Sequence, residues 1–209
     1  MKLVTLLAAF LSTTSFAAQN TEDPARQRDV DSVYEAFLAN LPSGLSAGPG
    51  TVYAVSLETN PISPIWLSPL KPSGDTALDS FLQTLAARCG EPPQGYESKW
   101  EEVRADLDRR GNAPAAVNRG LKVPGSLALV KPDEVSAFSA AQSRLSPQGR
   151  VSVLKLGNVY FNRDRTLAVT SISSTCGTLC GHSERRVYQR ELNGPWYEVQ
   201  SASKCVIDS

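Results

Sequence analysis

RTLAVTSISSTCGTLCGHSERRVYQREL (Arg165–Leu192) is the stretch that decides the fold. It contains two extended, β-prone segments separated by a loop with two cysteines and two glycines, and further extended segments flank it on both sides. The predicted strands here are 150–161, 165–174, 184–192 and 195–201. Turn signals lie between them at Asn162–Arg165 and Asn193-Gly194. The sequence therefore predicts an antiparallel β-meander in the C-terminal half.

Helical patterns lie mostly ahead of this meander. Apolar residues recur there at three- and four-residue steps, which places them on one face of a helix. The predicted helices are 26–41, 75–88, 98–110 and 132–144, and the predicted strands outside the meander are 51–59 and 125–131. The fold class is therefore α+β, with N-terminal helices packed on an antiparallel β-meander in the C-terminal half.

The first seventeen residues, Met1–Ala17, have the pattern of a secretory signal peptide. Lys2 supplies the positive end, Leu3–Leu11 the apolar core, and Ser15 and Ala17 the small residues before a cleavage site. The apolar run is too short to span a membrane. We therefore expect a signal peptide over 1–17, a single domain over 18–209, no transmembrane anchor after cleavage, and a periplasmic or secreted location. A retained signal anchor is the alternative.

The charge balance and length of the chain limit the classes of partner that it can bind. The chain has 21 basic and 21 acidic side chains, and cleavage after residue 17 of the 209 would leave 192 residues, which suits one domain. No basic block is interleaved with aromatic residues, so we expect no nucleic acid partner. The isolated pairs Arg109–Arg110 and Arg185–Arg186 are interpreted as solvated faces.

The four cysteines are expected to form disulfides, because an even number in an exported chain is typical of them. Cys176 and Cys180 can pair if their glycine-rich loop curls back, and Cys89 and Cys205 would then pair by elimination. Alternatively, Cys205 pairs with one of the loop cysteines and leaves a reactive thiol.

Other chemistry at the same loop is less favoured. Redox enzymes use C-x-x-C at a helix N-terminus, whereas Cys176 and Cys180 are separated by three residues in a β-turn. A metal site would add His182, but it is only two residues from Cys180, and oxidation competes for the thiols. His182 is the only histidine, and its neighbour Ser183 points to the opposite face of a strand. We therefore predict no catalytic residue, no metal and no cofactor.

A family resemblance follows from the motif residues of the meander. They are Phe161, Asn162, Asp164, Cys176, Gly177, Leu179, Cys180, Gly181, Gly194 and Trp196. With these residues, the chain from Leu121 onward resembles a segment of many uncharacterised exported bacterial proteins, in which F-N-x-D is followed by C-G-x-L-C-G. The family implies export but no activity, so no functional residue is carried over. After Gly181 relatives have a glycine-rich aromatic stretch, whereas this chain has His182–Arg186.

The candidates for ligand binding are Trp66, Trp100 and His182, and packing in the core is the alternative for the tryptophans. The favoured function is an exported, non-enzymatic α+β domain that binds a protein or a cell-envelope ligand. The alternatives are a secreted or periplasmic enzyme, such as a hydrolase, and a thiol-active redox protein that uses Cys176 and Cys180.

Overall fold

The structure, a computed structural model, describes residues 23–41, 52–62, 89–125, 127–145, 151–175, 181–199 and 206–208. The helices of this described part are α1 (Pro24–Ala39), α2 (Glu97–Arg110) and α3 (Val135–Leu145), and a 3-10 turn over Pro132–Glu134 precedes α3. The strands are β1 (Val52–Ser56), β2 (Leu127–Val130), β3 (Val151–Leu156), β4 (Tyr160–Phe161), β5 (Leu167–Thr175), β6 (Gly181–Gln189), β7 (Tyr197–Glu198) and β8 (Val206–Asp208).

The described strands form one sheet in the order β2-β1-β3-β5-β6-β7. β1 runs parallel to both β2 and β3, and every other pair is antiparallel. β3 and β4 pair with the same side of β5, one after the other, and β7 and β8 do the same along β6. The sheet is therefore mostly antiparallel, with a parallel end.

The α+β class is confirmed at the level of three helices and a mostly antiparallel sheet in the described part of the chain. The sheet is not confined to the C-terminal half, because the strands predicted at 51–59 and 125–131 join it beside β3. Parallel neighbours need long crossover connections, and local sequence periodicity carries no information about such pairings. The helix predicted over 75–88 lies outside the described residues.

Both faces of the sheet are covered, because apolar residues of its strands point to both sides and belong to two separate cores. On β5, Ala168 and Ile172 belong to the core that contains α1, whereas Leu167 and Val169 belong to the core that contains α2. Apolar residues of α1 recur at three- and four-residue steps along its buried side, namely Val30, Val33, Tyr34, Phe37 and Leu38. The two helices therefore lie on opposite faces of the sheet.

The ends of these helices have identifiable signals. The Asp23 side chain accepts a hydrogen bond from the Ala25 N–H (2.9 Å), and proline occupies the first turn of α1. α2 ends at Gly111, whose φ of +72° suits glycine and whose N–H donates to the Leu107 carbonyl (2.8 Å). The beginning of α1 and the end of α2 meet beside β4, and this junction contains the candidate site.

Candidate functional site

Trp100 is not available to a ligand, and this corrects its prediction as a binding residue. It is 0% exposed in the core beside α2, and its Nε1 donates to the Gly90 carbonyl (3.2 Å). The guanidinium of Arg185 lies 4.8 Å from the centre of its ring. Trp100 therefore belongs to the core, because its ring and its N–H are both used within the fold.

One of the four cysteines can be placed. Cys89 is buried and disulfide-bonded, and its backbone carbonyl accepts a hydrogen bond from Arg185. Cys176, Cys180 and Cys205 lie outside the described residues. The identity of the partner of Cys89 therefore stays a prediction. Trp66 also lies outside the described residues.

His182 lies near the start of β6 in a row of ionisable side chains. Its Nε2 is 3.6 Å from Oε2 of Glu184. Arg186, two residues further along, donates from Nε to Oε1 of Glu184 (2.9 Å) and from Nη1 to Oε1 of Glu198 (2.6 Å). The Arg186 guanidinium also lies 5.8 Å from the ring centre of Phe37 on α1. His182 therefore borders an ion-pair network under α1.

A carboxylate in the last turns of α2 is the centre of a second network. Asp106 is 3% exposed, and its Oδ2 accepts hydrogen bonds from Nη2 of Arg26 (2.9 Å) and from the N–H of Phe161 (3.0 Å). Its Oδ1 accepts from Nη2 of Arg109 (2.5 Å) and from Nε of Arg110 (3.0 Å). One carboxylate therefore joins α1, α2 and β4, and three guanidinium groups share it.

Part of this network completes the edge of β4. The Val159 carbonyl accepts from Nη2 of Arg26 (2.9 Å), and the Phe161 N–H donates to Asp106. Both backbone groups lie on the side of β4 away from β5, because Asn162 donates to the Leu167 carbonyl of β5 on the other side. The Arg26–Asp106 pair therefore takes the place of a neighbouring strand and has a structural role.

The environment of Asp106 keeps it ionised. Burial alone would raise its pKa, but the hydrogen bond from Phe161 and the positive charges of Arg26 and Arg109 outweigh burial, and the net effect lowers the pKa. Because both oxygens are engaged and the pKa is low, this carboxylate is a poor proton acceptor. Its role is to hold the arginines.

Two clefts share Asp23, Arg26, Arg109 and Arg110 in their linings. The smaller has a volume of about 250 Å³ and the larger about 590 Å³. We call these two clefts together the arginine cleft and refer to them as its smaller and larger parts. The Arg109 side chain is 69% exposed, so its guanidinium is open to solvent in this cleft.

Basic groups outnumber acidic groups along the described lining. Five arginines and three carboxylates line the smaller part, and three arginines and one carboxylate line the larger part. In the smaller part Arg165 is compensated by Asp23 (3.5 Å) and by the neighbouring Asp29 (3.2 Å). Arg109 is the most solvent-exposed arginine among those that share Asp106 and line both parts of the cleft.

The larger part has a wall of small residues. Ala113, Pro114, Ala115 and Ala116 line it, and all four are exposed. Hydrogen bonds to one side hold this segment extended: Thr59 N–H donates to the Ala115 carbonyl (2.8 Å), and the Ala115 N–H donates to Oγ1 of Thr59 (2.8 Å). This wall is therefore fixed by the β1 connection and exposes backbone rather than long side chains.

Two aromatic residues line the larger part, but both are buried. Tyr34 and Tyr160 are 2% and 1% exposed. Their hydroxyls donate to the carbonyls of Gly157 (2.9 Å) and Gly111 (2.9 Å). Neither ring therefore offers a face on which a sugar ring could stack.

The F-N-x-D segment (Phe161–Asp164) forms part of the turn between β4 and β5. Oδ1 of Asn162 accepts hydrogen bonds from the N–H groups of Thr166 (2.9 Å) and Leu167 (2.7 Å), and Oδ1 of Asp164 accepts from Oγ1 of Thr166 (2.7 Å). Arg165 adopts a left-handed φ of +54° within this turn. The motif therefore connects β4 to β5 and brings Phe161 beside Asp106.

Metal-ligating side chains do not cluster in the part of the chain that the structure describes. That part contains no group of three or more histidine, cysteine, aspartate or glutamate side chains placed to hold a metal ion. Within the same residues, none of the helices combines the length and the apolar character that a membrane span requires.

Sequence reasoning missed the arginine cleft. The interpretation of Arg185–Arg186 as a solvated face is wrong, because Arg185 is 3% exposed and the Arg186 side chain is 10% exposed. Arg109 and Arg110 are exposed, as predicted, but they line the cleft. The spacing of Asp106 from Arg109 and Arg110, three and four residues along one helix, was a usable signal. Arg26 is separated from Asp106 by 80 residues and gave none.

The comparisons with known proteins add no family. No family model, no curated protein and no solved structure matches this chain.

Proposed function

We propose that this chain is an exported, non-enzymatic binding domain for a protein or cell-envelope ligand, and that the ligand presents an anionic group to the arginine cleft. The observation that carries the proposal is the sharing of one carboxylate, Asp106, by three guanidinium groups beside an open cleft. A guanidinium has five N–H donors, and Arg109 engages Asp106 through Nη2 alone among the described contacts. Its remaining donors suit a carboxylate or phosphate oxygen.

The chemistry of the cleft favours binding over catalysis. Arginine keeps its proton at physiological pH and therefore serves neither as a general base nor as a general acid. Asp106 is engaged at both oxygens and has a lowered pKa. His182 is not among the residues that line either part of the cleft. We therefore favour a binding domain over a hydrolase or a thiol-active protein.

Export and disulfide bonding belong to the same proposal. They are supported by the signal-peptide pattern of Met1–Ala17, by the even cysteine count, and by the resemblance of the segment from Leu121 onward to exported proteins. Expression of the full chain in a Gram-negative host should yield periplasmic protein that begins at Ala18. Non-reducing peptide mapping should then recover the pairs Cys176–Cys180 and Cys89–Cys205. An uncleaved N-terminus or free thiols would contradict this part.

The anion site can be tested with acetate. Isotope-labelled protein from the periplasm would be titrated while the NMR signals of the arginine Nε–H groups are followed. We expect saturable shifts at Arg109 and Arg110. Arg109→Gln should weaken binding about tenfold or more, because a hydrogen bond to a charged group is worth about 1.5–3 kcal/mol.

The matched control is Arg28→Gln. Arg28 is an exposed arginine of α1 that does not line the cleft, so the variant removes the same charge without touching the site. Equal weakening by both variants would show a general charge effect and would contradict the site, as would shifts that never saturate.

A further inference from the structure

We infer that the anionic group is the C-terminal carboxylate of a peptide, and that the residues before it lie extended along the wall formed by residues 113–116. This inference rests on the proposed function, because it uses the same arginine cleft. It adds the class of ligand, the direction in which the ligand lies and a second binding surface.

The arginines of the cleft indicate where the C-terminal carboxylate of the peptide binds. Arg109 is exposed beside Arg110, and both line the smaller and the larger part of the cleft. Asp106 already balances one of the three positive charges around it. A planar carboxylate matches the fork of a guanidinium and carries a single negative charge. An anionic chain end placed here therefore has the remainder of the ligand facing the larger, 590 Å³ part of the cleft.

The wall formed by residues 113–116 indicates the extended path of the peptide. The Ala115 N–H and carbonyl both face Thr59, and the Val117 N–H donates to the Leu57 carbonyl (2.9 Å). Successive residues of an extended segment direct their backbone groups to opposite sides. The N–H and carbonyl of Ala116 therefore face away from Thr59, and they can pair with the backbone of an added strand.

The small side chains of the wall support the same conclusion. Ala113, Pro114, Ala115 and Ala116 are exposed and leave room for a second backbone to approach closely. Oδ1 of Asn158 accepts from Oγ1 of Thr59 (2.6 Å), and Nδ2 of Asn158 donates to the Ala113 carbonyl (2.8 Å), so side-chain hydrogen bonds hold the wall in place. A braced, extended wall with small side chains suits main-chain recognition.

The main alternative, an acidic sugar, fits the lining less well. Sugar sites commonly use an aromatic face, and the rings that line the larger part, Tyr34 and Tyr160, are 2% and 1% exposed. A peptide needs no ring, because its recognition comes from backbone hydrogen bonds and shallow pockets. The charge and the wall therefore favour a peptide.

The first experiment uses two peptide arrays. The full chain, purified from the periplasm, would be applied to a hexapeptide library with free C-termini and to the same library with amidated C-termini. The best binders would be resynthesised in both forms and titrated in solution. We expect the free carboxylate to bind at least roughly tenfold more tightly than the amide, and Arg109→Gln to remove that preference.

The second experiment blocks the wall. Ala113→Trp places a large side chain in the larger part of the cleft, and Ala113→Glu places a negative charge there if the tryptophan variant folds poorly. Either variant should weaken the peptide at least tenfold. Ala113→Trp should leave acetate binding unchanged, whereas the added carboxylate of Ala113→Glu should also repel acetate. Ala137→Trp is the control, because Ala137 is an exposed alanine of α3 that lines neither part of the cleft.

The outcomes separate this inference from the proposed function. If acetate binds through Arg109 but free and amidated peptides bind equally, or no hexapeptide binds more tightly than acetate, the peptide inference is overturned and the anion site stands. If Ala113→Trp and Ala113→Glu both leave peptide affinity unchanged, the extended path is overturned. If acetate itself shows no saturable, Arg109-dependent binding, both fail together.

Discussion

Two buried ion networks in this protein are built with opposite signs. At the end of α2, one carboxylate, Asp106, is shared by three arginines, whereas on β6 one arginine, Arg186, is shared by Glu184 and Glu198. The side chain of the central group is at most 10% exposed in each case. The first network borders an open cleft, and the second lies beneath Phe37 of α1.

The two networks differ in whether their positive charge is open to solvent. Arg186 and its two carboxylates lie between the sheet and a helix, and their side chains are at most 29% exposed. In the other network Asp106 is buried, but Arg109 extends into solvent with 69% of its side chain exposed. The network on β6 therefore stabilises packing, whereas the network around Asp106 has a structural half at Arg26 and an accessible half at Arg109.

The largest effect is expected from Asp106→Asn. This change removes a carboxylate that is paired with Arg26, which is 6% exposed. Removing one partner of a buried ion pair should lower the free energy of unfolding by about 3 kcal/mol. Urea denaturation measures the change, and Asp108→Asn, at an exposed position of the same helix, should cost under about 0.5 kcal/mol. Similar losses for both variants would remove the special role of Asp106.

Arg186→Gln tests the opposite network and should have a smaller effect. Glu184 is 4% exposed and would lose its guanidinium partner, so we expect a loss of about 2 kcal/mol in the free energy of unfolding. Arg163→Gln, at an exposed position, is the matched control in the same denaturation experiment. A loss larger than that of Asp106→Asn would reverse the ranking of the two networks.

Acid should diminish the advantage of wild type over Asp106→Asn. The folded-state pKa of Asp106 is lowered from its unfolded value of about 3.9, so ionised Asp106 stabilises the fold above that pH. The contribution is lost as the pH falls through the folded-state pKa. Urea titrations from neutral pH to about pH 3 should therefore show the gap narrowing only below about pH 4. A gap that narrows already near pH 6 would mean that another group supplies the effect.

The smallest effect on stability is expected from Arg109→Gln. The side chain is mostly exposed, and exposed ion pairs contribute under about 1 kcal/mol. The same variant is expected to abolish much of the anion binding, so stability and binding should separate at this residue. Thermal melting beside the acetate titration checks both. A large drop in melting temperature would place Arg109 in the structural half of the network.

Local sequence patterns predicted most of the described elements. The helices expected at 26–41 and 98–110 are α1 and α2 within a few residues, and the strands at 165–174 and 184–192 correspond to β5 and β6. These elements follow from apolar periodicity and from turn residues such as Asn162, which are local properties of the chain. The α+β class followed from the same information.

The candidate binding residues were predicted less well, because aromatic residues serve cores as readily as sites. Trp100 was a candidate for binding, with core packing as the alternative, and it is fully buried beside Arg185. Arg109 satisfied the criteria for an ordinary solvated arginine and borders the cleft. Trp100 and Arg109 differ in burial, and burial depends on which elements pack together.

Spacing within short segments was enough to predict the described helices and most of the antiparallel strands, but the strand expected at 150–161 is divided into β3 and β4, and β8 was not predicted. Only the tertiary structure decided that β1 and β2 join the sheet in parallel, that Arg26 reaches Asp106 across 80 residues, and that residues 113–116 become the wall of a cleft. These features depend on long-range packing, in which one buried carboxylate satisfies the backbone of β4 and the charges of two helices together.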